Sequence, residues 1–177
     1  MHITFAAMKS LLIVYRLLTF ILLPISVIIG IVDITVLSLA LANPSALLLV
    51  FAIACIVIYI FTSFSFLTKG ILGGRPCKPS LRDWIRVNAF VSVVLCGLGV
   101  IDYIIIVSNK SVAGDIVKQV IQQQTVPPGL TAPQLEQMLL KFMFMFFIFS
   151  IVLITHIFLS FRLLNQFSYL FKQNDKG

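Results

Sequence analysis

The sequence predicts an all-α polytopic membrane protein: a four-transmembrane-helix bundle with a short extracytoplasmic amphipathic helix. Composition is the first reason. Of 177 residues, 60% are hydrophobic and only 11% charged, whereas a soluble domain is about half apolar and about a quarter charged. Hydropathy is the second, because a mean of +1.10 leaves more apolar surface than one core of this size can bury. The third is segmentation. The apolar residues fall into four runs, each as long as the ~20 residues a helix needs to cross ~30 Å of hydrocarbon. A secreted disulfide scaffold, a disordered tail and an ordinary cytosolic enzyme are excluded, and the chain reads as a single helical-bundle domain.

The first span is expected over residues 17–41. Lys9 and Arg16 before it, and Ala40-Leu41-Ala42 at its end, resemble the flanks of a signal peptide. A signal h-region is about 7–15 residues long, and this run is longer and contains Asp33, so it is expected to be a retained span. The second span covers 46–67. Asn43-Pro44 joins the two: asparagine is a good N-cap and proline is tolerated in a first helical turn. So short a link predicts an antiparallel hairpin. The third span covers 84–107, preceded by Ser80 and Asp83 in an S-x-x-D capping pattern. The fourth covers 139–164. Thr131 and Gln134 ahead of it form a T-x-x-Q box with Pro133 in the first turn. Its helix is therefore expected to start before the membrane and to run from Ala132 to Phe171, about 60 Å at 1.5 Å per residue.

Ser108–Gln137 is the longest polar stretch. Within it Val112, Ala113, Ile116, Val117, Val120 and Ile121 share one half of a helical wheel, opposite Asp115, Lys118, Gln119 and Gln122. This predicts a helix lying on the headgroups. Gln122–Gln124 and Pro127-Pro128-Gly129 end it.

Charge sets the expected orientation. Ten basic residues (Lys9, Arg16, Lys69, Arg75, Lys78, Arg82, Arg86, Arg162, Lys172 and Lys176) fall on one side, and three (Lys110, Lys118, Lys141) on the other. The positive-inside rule then puts both termini and the 69–83 loop in the cytoplasm of a plasma or inner membrane. There Lys69, Arg75, Lys78, Arg82 and Arg86 would meet anionic lipid headgroups or a partner. Trp84 and Tyr103 suit interfacial anchors. No basic stripe with stacking aromatics argues for nucleic acid. The glycines of the 69–83 loop do not have phosphate-loop spacing, and no strand precedes them. Cys55 and Cys96 lie in apolar runs and Cys77 in the basic loop, with no zinc spacing. No metal or cofactor is expected.

Ionisable groups inside spans are costly, so they are the first functional candidates. Asp33 shares a face with Ser26, Gly30 and Ala40, and Ser26-x-x-x-Gly30 favours close helix approach. Asp102 borders a second small-polar stripe, Asn88, Ser92, Cys96 and Gly99. Two aspartates buried together would share one charge and bind a proton or cation. His156, with Ser160 one turn on, is expected to make a helix-to-helix hydrogen bond, with a proton-relay role as the alternative. The run Phe142–Phe149 is Phe- and Met-rich and suits contact with lipid or another subunit. No catalytic motif is present. Two functions follow as expectations. The first is a non-catalytic multi-pass subunit that oligomerises or scaffolds a larger membrane complex through its small-residue and Phe/Met faces. The alternative is a small proton- or cation-coupled transporter or channel using Asp33 and Asp102.

Overall fold

The computed structural model describes residues 5–41, 44–123 and 130–171. Asn43, Pro127-Pro128-Gly129, Lys172 and Lys176 lie outside the described residues. Five α-helices follow one another: α1 (Phe5–Ala40), α2 (Pro44–Ser65), α3 (Pro79–Ser108), α4 (Lys110–Gln123) and α5 (Ala132–Gln166). α2 continues as a π-helical segment over Phe66–Leu72, and a 3-10 turn, Ser168–Phe171, follows α5. There is no strand among the described residues. Four helical stretches are long and apolar enough to cross a membrane: Met8–Ser38, Ala46–Leu72, Pro79–Ser108 and Ala132–Gln166. The protein is an all-α membrane protein with four membrane-length helices, consistent with a four-helix bundle.

Boundaries differ from expectation for local reasons. α1 starts at Phe5, so Lys9 and Arg16 are helical and do not precede the helix. It also runs unbroken through Pro24. α3 starts at Pro79, so Ser80 is already inside it and the S-x-x-D cap is not made. Proline at the first helical position needs no N–H partner and presets φ; Asp83 pairs instead with Arg82 Nε at 3.7 Å. The T-x-x-Q box holds: Gln134 Oε1 accepts from the Thr131 N–H at 2.8 Å and from Thr131 Oγ1 at 3.0 Å. α4 has a cap that the pattern reading missed, Asn109 Oδ1 accepting from the Ser111 N–H at 3.3 Å and Oγ at 2.8 Å. α5 ends five residues short of Phe171. The tighter 3-10 turn after it buries Leu170 and Phe171, and Phe171 stacks on Phe66 at 5.4 Å. The expected 69–83 loop shrinks to 73–78, because the π segment carries Lys69 as far as Leu72. Gly74 makes the turn with φ +59°, which costs a side-chain-bearing residue roughly 1–2 kcal/mol.

The chain divides into two compact units. The first comprises residues up to Val94 and those from Leu153 onward. Its core holds Leu22, Ile60, Phe66, Leu67, Ile85, Leu153 and Leu163, none of them solvent-accessible. α1 packs on α2 within it. The buried positions of α1 are Tyr15, Thr19, Leu22, Ser26, Asp33 and Ala40. Thr19, Ser26, Asp33 and Ala40 are each seven apart, the repeat of a coiled-coil seam. Around that seam the helix is bare: Ile28, Ile31 and Ile34 are 64%, 63% and 72% exposed, and in a bilayer such surface meets lipid tails. The basic end is tied by a hydrogen bond from the Cys77 N–H to the Leu170 carbonyl at 2.8 Å.

The second unit is Leu95–Val152. Tyr103 stacks on Phe147 at 4.6 Å. Cys96, Gly99, Ala113, Val117 and Ser150 are buried. α4 is amphipathic as expected near its start, with Ala113 and Val117 buried and Asp115 and Lys118 exposed and paired at 3.2 Å. Val120 and Ile121 remain 40% exposed.

Candidate functional site

The most structured polar feature lies in the first unit, around His156. Three helices each present two polar side chains one turn apart: Tyr15 and Thr19 on α1, Tyr59 and Ser63 on α2, His156 and Ser160 on α5. Residues i and i+4 share a helix face, so each pair projects inward together, and all six are fully buried. His156 Nε2 lies 2.8 Å from Thr19 Oγ1, and Nδ1 lies 2.8 Å from the Tyr59 hydroxyl. The Tyr15 ring stacks on the imidazole at 4.6 Å with the planes 11° apart.

Donor counting fixes the tautomer. Thr19 has one hydroxyl proton and donates it to the Tyr15 carbonyl at 2.7 Å. Its oxygen therefore accepts from His156, which places the ring proton on Nε2. Nδ1 is then an acceptor and receives the Tyr59 O–H. Both nitrogens are satisfied with the ring neutral. A hydrogen-bonded neutral imidazole is the inexpensive way to keep a histidine away from water. The arrangement clamps α1, α2 and α5 together. It leaves neither nitrogen free to ligate a metal or take a proton from a substrate. The sequence reading found His156 and Ser160 but missed Tyr15, Thr19, Tyr59 and Ser63. The i, i+4 recurrence of polar groups in apolar runs was the signal available.

The other candidates fall as follows. Asp33 is 8% exposed and its Oδ1 is sealed without a hydrogen-bond partner. Asp102 is exposed on α3 in the second unit. Ser26 is buried and donates to the Leu23 carbonyl at 2.7 Å. Gly30 faces Val57, and a Cβ there would sit at an ordinary 3.5 Å, so packing at this point does not require glycine. The tight approach is at Gly99, where a Cβ would clash with the Phe146 ring. Ser92 and Cys96 are fully buried. Lys69, Arg75, Lys78 and Arg86 are exposed at the basic end, and Arg82 is half-buried. Trp84, between Arg82 and Arg86 in sequence, is 55% exposed.

Cys77 is the partly accessible thiol; burial pushes it up from its ordinary range, and Lys69 acts against that shift. Cys55 and Cys96 are buried. No group of three metal-ligating side chains occurs among the described residues. Two shallow depressions lie along single helices, one on α1 at Ile13, Arg16, Leu17, Phe20 and Ile21 and one on α3 at Ser80, Asp83, Trp84 and Val87. No family model matches the chain, and comparison with curated proteins and with solved structures also gives no match.

Proposed function

We propose that the protein is a non-catalytic multi-pass membrane subunit that assembles with further copies or with other membrane subunits. One observation carries this reading. The small residues that favour helix association, Ser26, Ser92, Cys96 and Gly99, are buried within the chain, while Phe142 and Met145 on α5 are 65% and 70% exposed. Assembly contact then falls on the Phe/Met face, which is adaptable and apolar. The closed state of His156 supports a role without catalysis. Termini in the cytoplasm of a plasma or inner membrane, with the basic end on anionic lipid, follow from the charge asymmetry. Native mass spectrometry from mild detergent tests the assembly. Masses above the 19.7 kDa monomer are expected, and they should diminish in a Phe142→Ala/Met145→Ala variant. A monomer alone overturns the proposal.

The unpartnered oxygen of Asp33 favours a second reading, a small proton- or cation-coupled transporter or channel. With Asp102 exposed, that reading rests on Asp33 first. Ion flux in proteoliposomes should then be lost in Asp33→Asn, and flux unchanged by that substitution removes it.

A further inference from the structure

We propose that Asp33 is a proton-binding site inside the bilayer, a carboxyl that is loaded and unloaded in place and is not paired by the protein. The proposal goes beyond the subunit reading. It holds whether or not the proton is carried across the membrane.

The seam of α1 supplies the contrast. Three polar residues occupy equivalent positions along it: Thr19, Ser26 and Asp33. Thr19 is bonded to the Tyr15 carbonyl and to His156, and Ser26 to the Leu23 carbonyl. Asp33 alone keeps a sealed, unpartnered oxygen. The nearby hydroxyls are spent elsewhere, Thr35 on the Ile31 carbonyl at 3.0 Å and Ser38 on the Thr35 carbonyl at 2.7 Å.

The surroundings offer no counter-charge. Gly30 faces Val57, so one turn further along the antiparallel pair Asp33 stands level with Phe51-Ala52-Ile53-Ala54-Cys55, which has no side-chain oxygen. α2 has no Lys, Arg, His, Asp or Glu. Its titratable groups are Cys55 and Tyr59, and the Tyr59 proton is committed to His156. On α1 the nearest charge is Arg16, about 25 Å away along the axis. Thr19, which holds His156, is about 21 Å away on the same measure. Arg82, Asp83 and Arg86 of α3 belong to the basic end of the first unit.

An unpaired carboxylate within a span costs several kcal/mol, and either a cation or a proton removes that cost. A bound metal cation needs about six oxygen ligands, and the α1–α2 seam offers one carboxyl. The proton is the ligand that fits. Exchange with water is short-range, since Asp33 lies about 10 Å from the end of α1 at Ala40.

The full chain in lipid vesicles is treated with the apolar reagent dicyclohexylcarbodiimide and mapped by peptide mass spectrometry. A protonated carboxyl gives its proton to a carbodiimide nitrogen as its oxygen adds to the central carbon. The O-acylisourea then rearranges to a stable N-acylurea that the mass records. Labelling is expected at Asp33 and should decrease about fivefold or more as the pH is raised and the proton leaves. A water-soluble carbodiimide should instead reach exposed Asp102. Asp33→Asn should abolish the Asp33 adduct and Asp33→Glu should retain one, which separates loss of the site from loss of the fold. An Asp33 that stays unlabelled while Asp102 reacts, or labelling that does not change with pH, overturns the proposal.

Discussion

His156→Ala is expected to destabilise the protein by about 3–5 kcal/mol, read as a fall in the unfolding midpoint in detergent. Four losses combine. The Tyr15 stack contributes about 0.5–1.5 kcal/mol beyond its buried area. The Tyr59 hydroxyl loses its acceptor. Thr19 keeps its bond to the Tyr15 carbonyl and loses only what it accepted. In a bilayer, hydrogen bonds between helices average only about 0.6 kcal/mol, so the two bonds cannot dominate. The largest share is the cavity left by the ring, since truncating a buried aromatic costs about 3 kcal/mol or more. Tyr59→Phe separates the contributions. It keeps the ring, removes one hydroxyl, leaves Nδ1 unpaired, and should cost about 0.5–1.5 kcal/mol. In the His156→Ala background the same substitution should cost close to nothing, because its partner is gone. Additive losses would mean that the bond between Tyr59 and His156 does not contribute. A His156→Ala loss below about 1 kcal/mol would mean that the site relaxes around a gap and that the three-helix clamp is not rigid.

The contrast between His156 and its partners shows where sequence legibility stops. Four apolar runs are readable because crossing hydrocarbon imposes a length on each segment separately, and T-x-x-Q at Thr131–Gln134 is readable because a cap is made within four residues. Spacing puts Asp33 on one helix face with Ser26 and Ala40, and all three are buried. Thr19 and Tyr59 belong to His156 only through the packing of α1, α2 and α5. No local pattern states which of several polar residues in apolar runs will meet. The same holds for Phe171 stacking on Phe66 at the start of the π-helical segment, a contact between residues far apart along the chain. Ser80 went astray for a local reason, the stronger claim of Pro79 on the first helical position. Asn88, Ser92, Cys96 and Gly99 of α3 are all buried, but composition does not rank the tightest point among them. Packing makes that point Gly99, where a Cβ would overlap the Phe146 ring, whereas a Cβ at Gly30 would make an ordinary contact with Val57.

That ranking makes a sharp prediction within one turn of α3. Gly97 and Gly99 both lie in the helix, two residues apart, and so on different faces. A Cβ at Gly97 would meet nothing within 4 Å, whereas a Cβ at Gly99 would sit 2.7 Å from Phe146 Cδ1 and nearer still to Cε1. Alanine is favoured over glycine by about 1 kcal/mol in a helix interior, so Gly97→Ala should be neutral or mildly stabilising. At Gly99 the same preference is outweighed. The Phe146 ring must move off the methyl group, and overpacking of this kind costs about 1–3 kcal/mol. Gly99→Ala should therefore lower the unfolding midpoint while Gly97→Ala raises or preserves it. The clash has a named partner, so it has a named remedy. Phe146→Leu removes the ring edge that fills the space above Gly99, and the double variant Gly99→Ala/Phe146→Leu should be more stable than the sum of the two single changes by about 1 kcal/mol. If Gly99→Ala is as benign as Gly97→Ala, or if Phe146→Leu gives no rescue, then the approach of α5 to α3 at this level is looser than the geometry states.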